Sequence, residues 1–347
     1  MTSCEGLESG GTASGLPVSE QLFGDPGPSG LPLAEGIYTV GQVGTGRFLG
    51  IGGSPRTDFS VVTSEPDSDS EDRRASQAQS HHWRFVPVGL VCTIGQHSSD
   101  RWLDAHHHAS LDYSAMTRGS SEADDPHWVL RPVTGYLSTY TLQQLATGRY
   151  LDAHTTEPAD FSAATRPQAS DDGNKERQYW RLTSVQGGSH TICQVTTGRY
   201  LDAHRQNPHD YSAVTRPRTS ADTTSGDGQR WMLRTIGAVY GISHASSGRK
   251  LGAYETQVED FAATADEAGP HDGQLWVGIG CPNGPQKRVT QRVTLQQLST
   301  GRFLDTAPND TDSGGNGHDS LEAKRNHRVR PYQQWDVSWV GPTSVGF

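Results

Sequence analysis

Short alternations of apolar and polar residues, broken by turn residues about every ten positions, run along the chain from about residue 36 onward. No stretch keeps a 3.6-residue period, so we expect almost no helix. Alternation at 199–204 places Leu201 and Ala203 on one face of a strand and Asp202 on the other. The surrounding segment predicts four short strands, over His190–Val195, Arg199–His204, Tyr211–Arg216 and Gln229–Leu233.

The same strand pattern recurs six times. One phrase marks each copy: it reads GRYLDAH at 148–154 and 198–204 and DRWLDAH at 100–106, and weaker forms begin at Gly46, Gly248 and Gly301. Each copy closes near a tryptophan, and the last four lie in a Gln-x-Trp triplet. We expect all six to lie in the core: Trp83, Trp128, Trp180, Trp231, Trp276 and Trp335.

Six four-stranded repeats of about 50 residues allow two all-β architectures. A six-bladed β-propeller uses one repeat per blade, whereas a β-trefoil uses three repeats per domain. The Gly-Arg-Tyr-Leu-Asp opening and the Gln-x-Trp close resemble the ricin-type (QxW) β-trefoil lectin family, from about Gly36 to Val340. The resemblance implies an all-β protein with two tandem β-trefoil domains built from six ~50-residue four-stranded repeats. The propeller is the alternative.

Chain order predicts where the domains begin and end. Residues 1–35 are rich in Gly, Ser and Pro, which predicts a disordered N-terminal tail. Residues 36–185 are then expected to form the first trefoil, and residues 186–341 the second. Another grouping stays open, in which the second to fourth repeats, at about 87–236, form one trefoil. The fifth, sixth and first repeats then form the other.

Composition excludes some classes of partner. The net charge of −10 disfavours nucleic acid and anionic membranes, because both reward basic patches. No apolar stretch approaches the roughly 18 residues of a membrane span, and the N-terminal residues do not resemble a secretory signal. The four cysteines are scattered, which favours free thiols in a reducing compartment. We expect a cytoplasmic protein, or one exported without a recognisable signal peptide, of unknown oligomeric state.

Polar residues distinguish three of the six repeats. Leu-Asp-Ala-His followed by Asp-(Tyr/Phe)-Ser-Ala-x-Thr-Arg is complete only in the second, third and fourth. The fifth has Gly252, Tyr254 and Ala265 at the Asp, His and Arg positions. A residue needed only for folding should recur in every copy, so this set is the candidate ligand-binding site. Its members are Asp104, His106, Tyr113 and Arg118; Asp152, His154, Phe161 and Arg166; and Asp202, His204, Tyr211 and Arg216.

The lectin resemblance implies a carbohydrate-binding protein with several repeat-related sites. In that family the early Asp binds sugar hydroxyls, and Tyr113, Phe161 and Tyr211 are candidate platforms for a sugar ring. The chain departs from the family at two points. Arginines stand near the position of the family's stacking aromatic, and Arg177 replaces its Asn before Gln-x-Trp in the third repeat. Guanidinium groups bind carboxylates and phosphates, which favours an anionic glycan or another small polar or anionic ligand.

Three other interpretations stay open. The Asp, His and Arg side chains can form a surface hydrogen-bonded cluster of purely structural value. The protein can also be a non-sugar interaction scaffold, such as a fascin-like module or the receptor-binding part of a toxin. An enzyme can instead use one such pocket, with Asp and His as base and orienter. Three similar copies favour repeated binding sites, and we name no catalytic residue, no metal ligand and no cofactor. Histidines in the sites are expected to make binding sensitive to pH.

Overall fold

A computed structural model of the chain describes 14 segments. They are residues 33–52, 59–64, 79–111, 113–119, 126–155, 161–170, 175–204, 211–219, 226–255, 262–267, 272–281, 290–306, 319–324 and 333–342. The predicted tail over residues 1–35 lies outside them except at its last three residues. There Leu33 is already buried, and its N–H donates a hydrogen bond to the Tyr240 hydroxyl at 2.8 Å.

Strands account for nearly all regular structure in the described residues. The strands are β1 Gly36–Gln42, β2 Phe48–Ile51, β3 Phe59–Ser64, β4 His82–Gln96, β5 Arg101–Ala105, β6 Ala115–Arg118, β7 His127–Pro132, β8 Thr139–Gln144, β9 Tyr150–Ala153, β10 Ala163–Arg166, β11 Tyr179–Val185, β12 Ser189–Gln194, β13 Tyr200–Ala203, β14 Ala213–Arg216, β15 Trp231–His244, β16 Lys250–Ala253, β17 Ala263–Asp266, β18 Leu275–Gly280, β19 Thr290–Gln297, β20 Phe303–Thr306, β21 Asp319–Lys324 and β22 Gln334–Gly341. Short 3-10 helices lie at Gln79–His81, Ala109–Leu111, Lys175–Gln178, Gln186–Gly188, Gly226–Gln229 and Asp272–Gln274. Within the described segments, no helix is long and apolar enough to span a membrane.

The first compact unit, here called the central trefoil, comprises residues 89–235. Its barrel strands pair antiparallel in the order β4–β7–β8–β11–β12–β15. A hydrogen bond from the His97 N–H to the Arg230 carbonyl, at 2.8 Å, joins the two ends of that order. The other strands form three hairpins, β5–β6, β9–β10 and β13–β14. Six barrel strands with three hairpins make a β-trefoil, which confirms the predicted fold class.

The second unit, the terminal trefoil, is built from two separate stretches, 18–88 and 236–347. Its barrel strands pair in the order β4–β1–β22–β19–β18–β15. The Ala245 N–H donates to the His82 carbonyl at 2.8 Å and joins the ends. The three hairpins are β2–β3, β16–β17 and β20–β21. This barrel therefore closes by pairing the first repeat with the last.

The grouping of repeats differs from the predicted division at residue 186. That boundary lies inside the central trefoil, whose three hairpins belong to the second, third and fourth repeats. The domains 36–185 and 186–341 are therefore not the ones that the structure shows, and the alternative grouping is. The physical reason is the pairing of β1 with β22 over Ile37–Gln42, which commits the first repeat to the C-terminal stretch.

One tertiary hydrogen bond recurs in all six repeats and confirms the core tryptophans. Every one of the six indoles is fully buried. In each, Nε1 donates to the carbonyl oxygen of the leucine in the marker phrase at 2.9–3.2 Å. The leucine acceptors are Leu49, Leu103, Leu151, Leu201, Leu251 and Leu304. In every repeat, this hydrogen bond joins the leucine of the marker phrase to the closing Trp.

The turn that precedes each phrase explains its leading glycine. In the fourth repeat the Thr197 hydroxyl donates to Gln194 Oε1 at 2.7 Å, and the Gly198 N–H donates to the Gln194 carbonyl at 2.9 Å. Gly198 has a φ of 66°, a conformation that glycine adopts without strain. In the sequence, five of the six repeats have a Gln three residues before the Thr or Ser that precedes the marker phrase. This recurrence was not used in the prediction.

The cysteines do not all follow the expectation of free thiols. Cys92 and Cys281 are free, and burial raises the pKa of both thiols. Cys193, in contrast, is disulfide-bonded.

Candidate functional site

Each hairpin of the central trefoil brings the same three side chains together. In the fourth repeat, Arg216 Nη1 donates to Asp202 Oδ2 at 3.3 Å, and its Nη2 donates to His204 Nδ1 at 3.1 Å. The strands β13 and β14 set this geometry, because their register pairs Asp202 with Val214 and leaves Arg216 two residues further along. The guanidinium thus bridges the carboxylate and the imidazole.

The second and third repeats form the same Asp/His/Arg cluster. Arg118 Nε lies 3.4 Å from Asp104 Oδ2, and its Nη2 lies 3.3 Å from His106 Nδ1. In the third repeat, Arg166 Nη2 lies 3.0 Å from His154 Nε2. The contact between arginine and histidine is therefore present in all three hairpins, and the ion pair between arginine and aspartate in the second and fourth repeats.

The carboxylates lie beneath the other two groups, which corrects the expectation of surface ion pairs. Asp104, Asp152 and Asp202 are only 0%, 6% and 3% exposed. In each, Oδ1 accepts the backbone N–H of the following alanine at 2.7–2.8 Å. The arginines are more open: the side chains of Arg118 and Arg216 are 22% and 38% exposed. A ligand approaching a cluster from solvent therefore meets guanidinium and imidazole before it meets carboxylate.

The arginine determines which group accepts in its contact with the imidazole. A guanidinium group has five N–H donors and no acceptor. The histidine nitrogen that faces it is therefore the acceptor of the hydrogen bond. The pH sensitivity of binding expected from the sequence stays a prediction.

The three aromatic candidates belong to a different set of contacts. Arg149 lies over the Tyr113 ring at 3.6 Å from its centroid, and Arg199 lies over Phe161 at the same distance. Arg101 lies over Tyr211 at 3.5 Å. The arginine of the third repeat thus covers the ring of the second, that of the fourth covers the ring of the third, and that of the second covers the ring of the fourth. One face of every ring is thus covered by an arginine of the protein. This contact indicates that the three aromatic side chains pack within the fold and disfavours them as platforms for a sugar ring.

Backbone hydrogen bonds reinforce the same cycle. The Thr165 N–H donates to the Tyr113 carbonyl, the Thr215 N–H to the Phe161 carbonyl and the Thr117 N–H to the Tyr211 carbonyl, all at 2.9 Å. We call these contacts and the stacked rings the hairpin ring. All six marker phrases carry an arginine at this position, and the rings that three of them contact lie in other repeats.

The repeats without the cluster fill its place with other groups. A Cβ at Gly50 in the first repeat would lie 2.9 Å from the His81 ring, which occupies the space of the missing carboxylate. In the fifth repeat the strand register pairs Lys250 with Asp266, as Tyr150 pairs with Arg166. Asp266, not Ala265, therefore stands at the arginine position, and the predicted alignment was wrong by one residue.

Some members of the predicted phrase lie outside the described residues. They are the acids that precede the aromatic residues, Asp112, Asp160 and Asp210. Within the described segments, no group of three His, Cys, Asp or Glu side chains is arranged to hold a metal ion.

The buried Asp152 gives a stability prediction. Burial raises its pKa, against the opposing effects of the Ala153 N–H and of Arg166 and Arg177. A carboxyl whose pKa is higher in the folded state than in the unfolded state loses stability as pH rises through that window. Asp152→Asn keeps an acceptor for Ala153 and cannot ionise. We expect the melting temperature of the variant, relative to the wild type, to increase from pH 3 to pH 7; a pH-independent difference would contradict this.

Comparison with known families decides the relationship of the central repeats. Residues 124–216 and 176–265 match the model of the ricin-type beta-trefoil lectin domain-like family. Residues 124–265 are thus similar to the ricin-type beta-trefoil lectin domain-like family. The resemblance expected from the sequence is thereby confirmed, and these lectin-like repeats include the clusters of the third and fourth repeats.

Solved structures resemble this chain at low sequence identity. The designed three-fold symmetric protein ThreeFoil is 20% identical, over 41% of this chain and 96% of its own, with a TM-score of 0.34. The Macrolepiota procera ricin B-like lectin in complex with lactose is 15% identical, over 43% of this chain and 96% of its own, with a TM-score of 0.33. A mosquitocidal holotoxin is 9% identical, over 88% of this chain and 51% of its own, with a TM-score of 0.34. No curated protein matches the chain.

Proposed function

We propose that the Asp/His/Arg clusters of the central trefoil are glycan-binding sites, and that the protein is a multivalent lectin-like protein. The observation that supports this most is the selective placement of the cluster. All six repeats share the tryptophan bond, whereas the complete cluster is confined to the second, third and fourth. A set of polar groups that the fold itself does not require is the natural place for a ligand.

The chemistry of the cluster suits a sugar. Sugar hydroxyls both donate and accept hydrogen bonds, and the cluster offers guanidinium donors beside imidazole and carboxylate acceptors. Because Arg118 and Arg216 are the more exposed partners of their ion pairs, contact with a ligand begins at a positive group. We therefore propose a preference for glycans that carry a carboxylate or sulfate, which a guanidinium binds through two parallel hydrogen bonds.

The number of clusters favours binding over catalysis. The three are built from the same residue types with similar distances, as repeated weak sites require. Several weak sites that one ligand can span gain about 10²-fold or more in avidity. One enzymatic centre would instead call for a cluster unlike the other two.

A paired substitution tests the proposal without leaving a buried charge alone. Removal of the arginine by itself would strand a buried carboxylate, which is strongly destabilising. We therefore change Asp to Asn and Arg to Gln together, in the second, third and fourth repeats, and measure binding to an array of neutral and anionic glycans. The wild type is expected to bind, and the sixfold variant to lose about 10²-fold or more of its binding.

Folding and the loss of an exposed arginine are controlled in the same experiment. Circular dichroism and thermal melting verify that the variant is folded. Arg234→Gln is the control, since this exposed arginine of β15 belongs to the same trefoil and to none of the clusters. A folded wild type that is silent on the array would overturn the proposal, as would a folded variant that binds like the wild type.

A further inference from the structure

A surface loop between the second and third repeats exposes two adjacent apolar side chains. The loop 133–138 connects β7 to β8, and at its tip Tyr136 and Leu137 are 39% and 73% exposed. The same connection between the third and fourth repeats, from β11 to β12, is the short segment Gln186–Gly188. The trefoil therefore makes this connection with a glutamine and two glycines, and the fold itself does not require Tyr136 and Leu137.

Hydrogen bonds hold the loop in one conformation. The Val133 N–H donates to the Thr139 carbonyl at 2.9 Å, and the Thr139 hydroxyl donates to the Leu137 carbonyl at 2.9 Å. The Ser138 carbonyl accepts the Leu182 N–H at 2.9 Å. Ser138 has a φ of 49°, in the left-handed region that disfavours a residue with a side chain. The fold therefore fixes the tip of the loop, with Tyr136 and Leu137 directed outward.

Tyr136 contacts a second aromatic ring and a carboxylate. Its ring packs edge-to-face against Tyr179, the first residue of β11, with the centroids 5.4 Å apart and the planes at 69°. Its hydroxyl donates to Oε1 of Glu176 at 2.8 Å. Glu176 lies in the 3-10 helix Lys175–Gln178 and is exposed. Because the hydrogen bond to Glu176 and its negative charge favour the protonated phenol, the pKa of Tyr136 is raised. The phenol therefore stays a donor to Glu176 at neutral pH.

These groups offer the two kinds of contact that a neutral sugar makes. A sugar ring has C–H groups on one face, which pack against an aromatic ring, and hydroxyls at its edge, which need acceptors. An edge-to-face contact covers at most one face of each ring, so the exposed Tyr136 keeps a face open to solvent. A carboxylate accepts up to about four hydrogen bonds. The phenol supplies one of them to Glu176, and sugar hydroxyls can supply others.

The aromatic residues of the hairpin ring differ from Tyr136 in their exposure. Tyr113, Phe161 and Tyr211 are half-buried, and an arginine lies over each ring at 3.5–3.6 Å from its centroid. Tyr136 is exposed, and its ring contact is with the edge or face of another tyrosine. The loop 133–138 therefore provides the open ring beside an acceptor that a sugar platform needs.

We propose that Tyr136, Tyr179 and Glu176 form an additional sugar-binding site, here called the aromatic site, which takes one neutral hexose unit of a glycan. The hexose ring stacks on Tyr136, its hydroxyls donate to Glu176, and Leu137 borders the sugar at the tip of the loop. The negative charge of Glu176 disfavours an acidic sugar at this position. The aromatic site goes beyond the proposed function, because it shares no residue with the Asp/His/Arg clusters.

A reporter in the loop distinguishes the aromatic site from the clusters. The Leu137 methyl groups are followed by methyl NMR of the full chain and are assigned from their loss in Leu137→Ser. The neutral probes are the methyl glycosides of glucose and galactose, and the acidic probes are the matching methyl glycosides of glucuronic and galacturonic acid. In the wild type, at least one neutral probe is expected to shift the Leu137 signals saturably. Its uronic acid is expected to bind about threefold more weakly.

Substitutions separate the contributions of the ring and of the carboxylate. Tyr136→Ala removes the platform, and we expect binding at the Leu137 signals to weaken about tenfold or more. Tyr136→Phe keeps the ring and should stay within about threefold of the wild type. Glu176→Gln keeps an acceptor but loses the charge, so the neutral probe and its uronic acid should bind about equally. Trp339→Ala removes an exposed aromatic residue of the terminal trefoil and is the control, which should leave the titration unchanged.

The sixfold Asp/Arg variant separates failure of this site from failure of the clusters. It retains Tyr136, Tyr179 and Glu176, so its Leu137 signals should respond to the neutral probe as in the wild type, while its array binding is lost. A folded wild type whose Leu137 signals respond to none of the four glycosides overturns the aromatic site, even where the clusters bind glycans. Wild-type affinity in Tyr136→Ala, or unchanged discrimination in Glu176→Gln, also overturns it. So does a response to phosphatidylcholine vesicles but to no sugar, which would assign the loop to a membrane surface.

Discussion

Trp180→Ala is expected to remove a large part of the stability of the central trefoil at room temperature. Truncation of a fully buried tryptophan costs about 3–5 kcal/mol through lost contacts and the cavity that remains. The Leu151 carbonyl also loses its indole donor, and an unsatisfied buried acceptor adds about 1–3 kcal/mol. Because domains have a total stability of only about 5–15 kcal/mol, the sum is a large part of it. Urea denaturation followed by far-ultraviolet circular dichroism measures the loss.

Two further variants show whether the cause is local. Trp180→Phe fills most of the space, removes the N–H and leaves a small cavity, so we expect a smaller loss than in Trp180→Ala, of which the orphaned carbonyl accounts for about 1–3 kcal/mol. Trp276→Ala makes the equivalent change in the terminal trefoil, where the indole donates to Leu251. A Trp180→Ala variant with nearly native stability would show that the recurrent Trp–Leu bond does not organise the repeat.

The parts of the fold that could be read from the sequence are those fixed within one repeat. Three strands of the fourth repeat, β12, β13 and β14, were predicted to within about two residues, because apolar alternation, turn residues and the spacing from phrase to tryptophan all act locally. The last predicted strand, Gln229–Leu233, is only the start of the longer strand β15. The Asp/His/Arg cluster is local for the same reason, since both strands of its hairpin lie within 20 residues of each other. The spacing of its members along the chain was therefore enough to name them.

Contacts between repeats could not be read in the same way. Arg101 stacks on Tyr211, a residue of another repeat, and nothing in the residues of one repeat specifies which other repeat lies beside it. The burial of the three carboxylates likewise depends on groups far along the chain, such as Gln144, whose Nε2 donates to Asp104 Oδ1 at 3.1 Å.

The way in which the six repeats group into two trefoils depends on the contacts that close each barrel more than on the order of the repeats along the chain. All six repeats have similar strands, so local propensity does not distinguish the grouping of repeats one to three from that of two to four. The grouping is determined by the strands that close each barrel. In the terminal trefoil β1 pairs with β22 along Ile37–Gln42, and in the central trefoil the His97 N–H donates to the Arg230 carbonyl. The hairpin ring, which connects the second, third and fourth repeats to one another, acts in the same direction.

A fragment comprising residues 89–235 is therefore expected to fold alone, whereas a fragment comprising residues 36–185 is not. The first contains all six barrel segments of the central trefoil and the complete hairpin ring, including Arg101 on Tyr211. The second contains Tyr113 and Phe161 but lacks Arg199 and Tyr211, so two of the three stacked pairs are missing. It also separates β1 from β22. Size does not explain the contrast, because the fragments are nearly equal in length.

Heteronuclear NMR and thermal melting of the two fragments measure the outcome. For 89–235 we expect dispersed amide resonances and one cooperative transition, and for 36–185 narrow dispersion and no transition. Tyr211→Ala in the 89–235 fragment opens the hairpin ring at one point. Aromatic burial and cation–π contact together make a loss of about 2–4 kcal/mol the expected result. Cooperative folding of 36–185 would contradict the grouping, because it would show that the first three repeats close a barrel without β22.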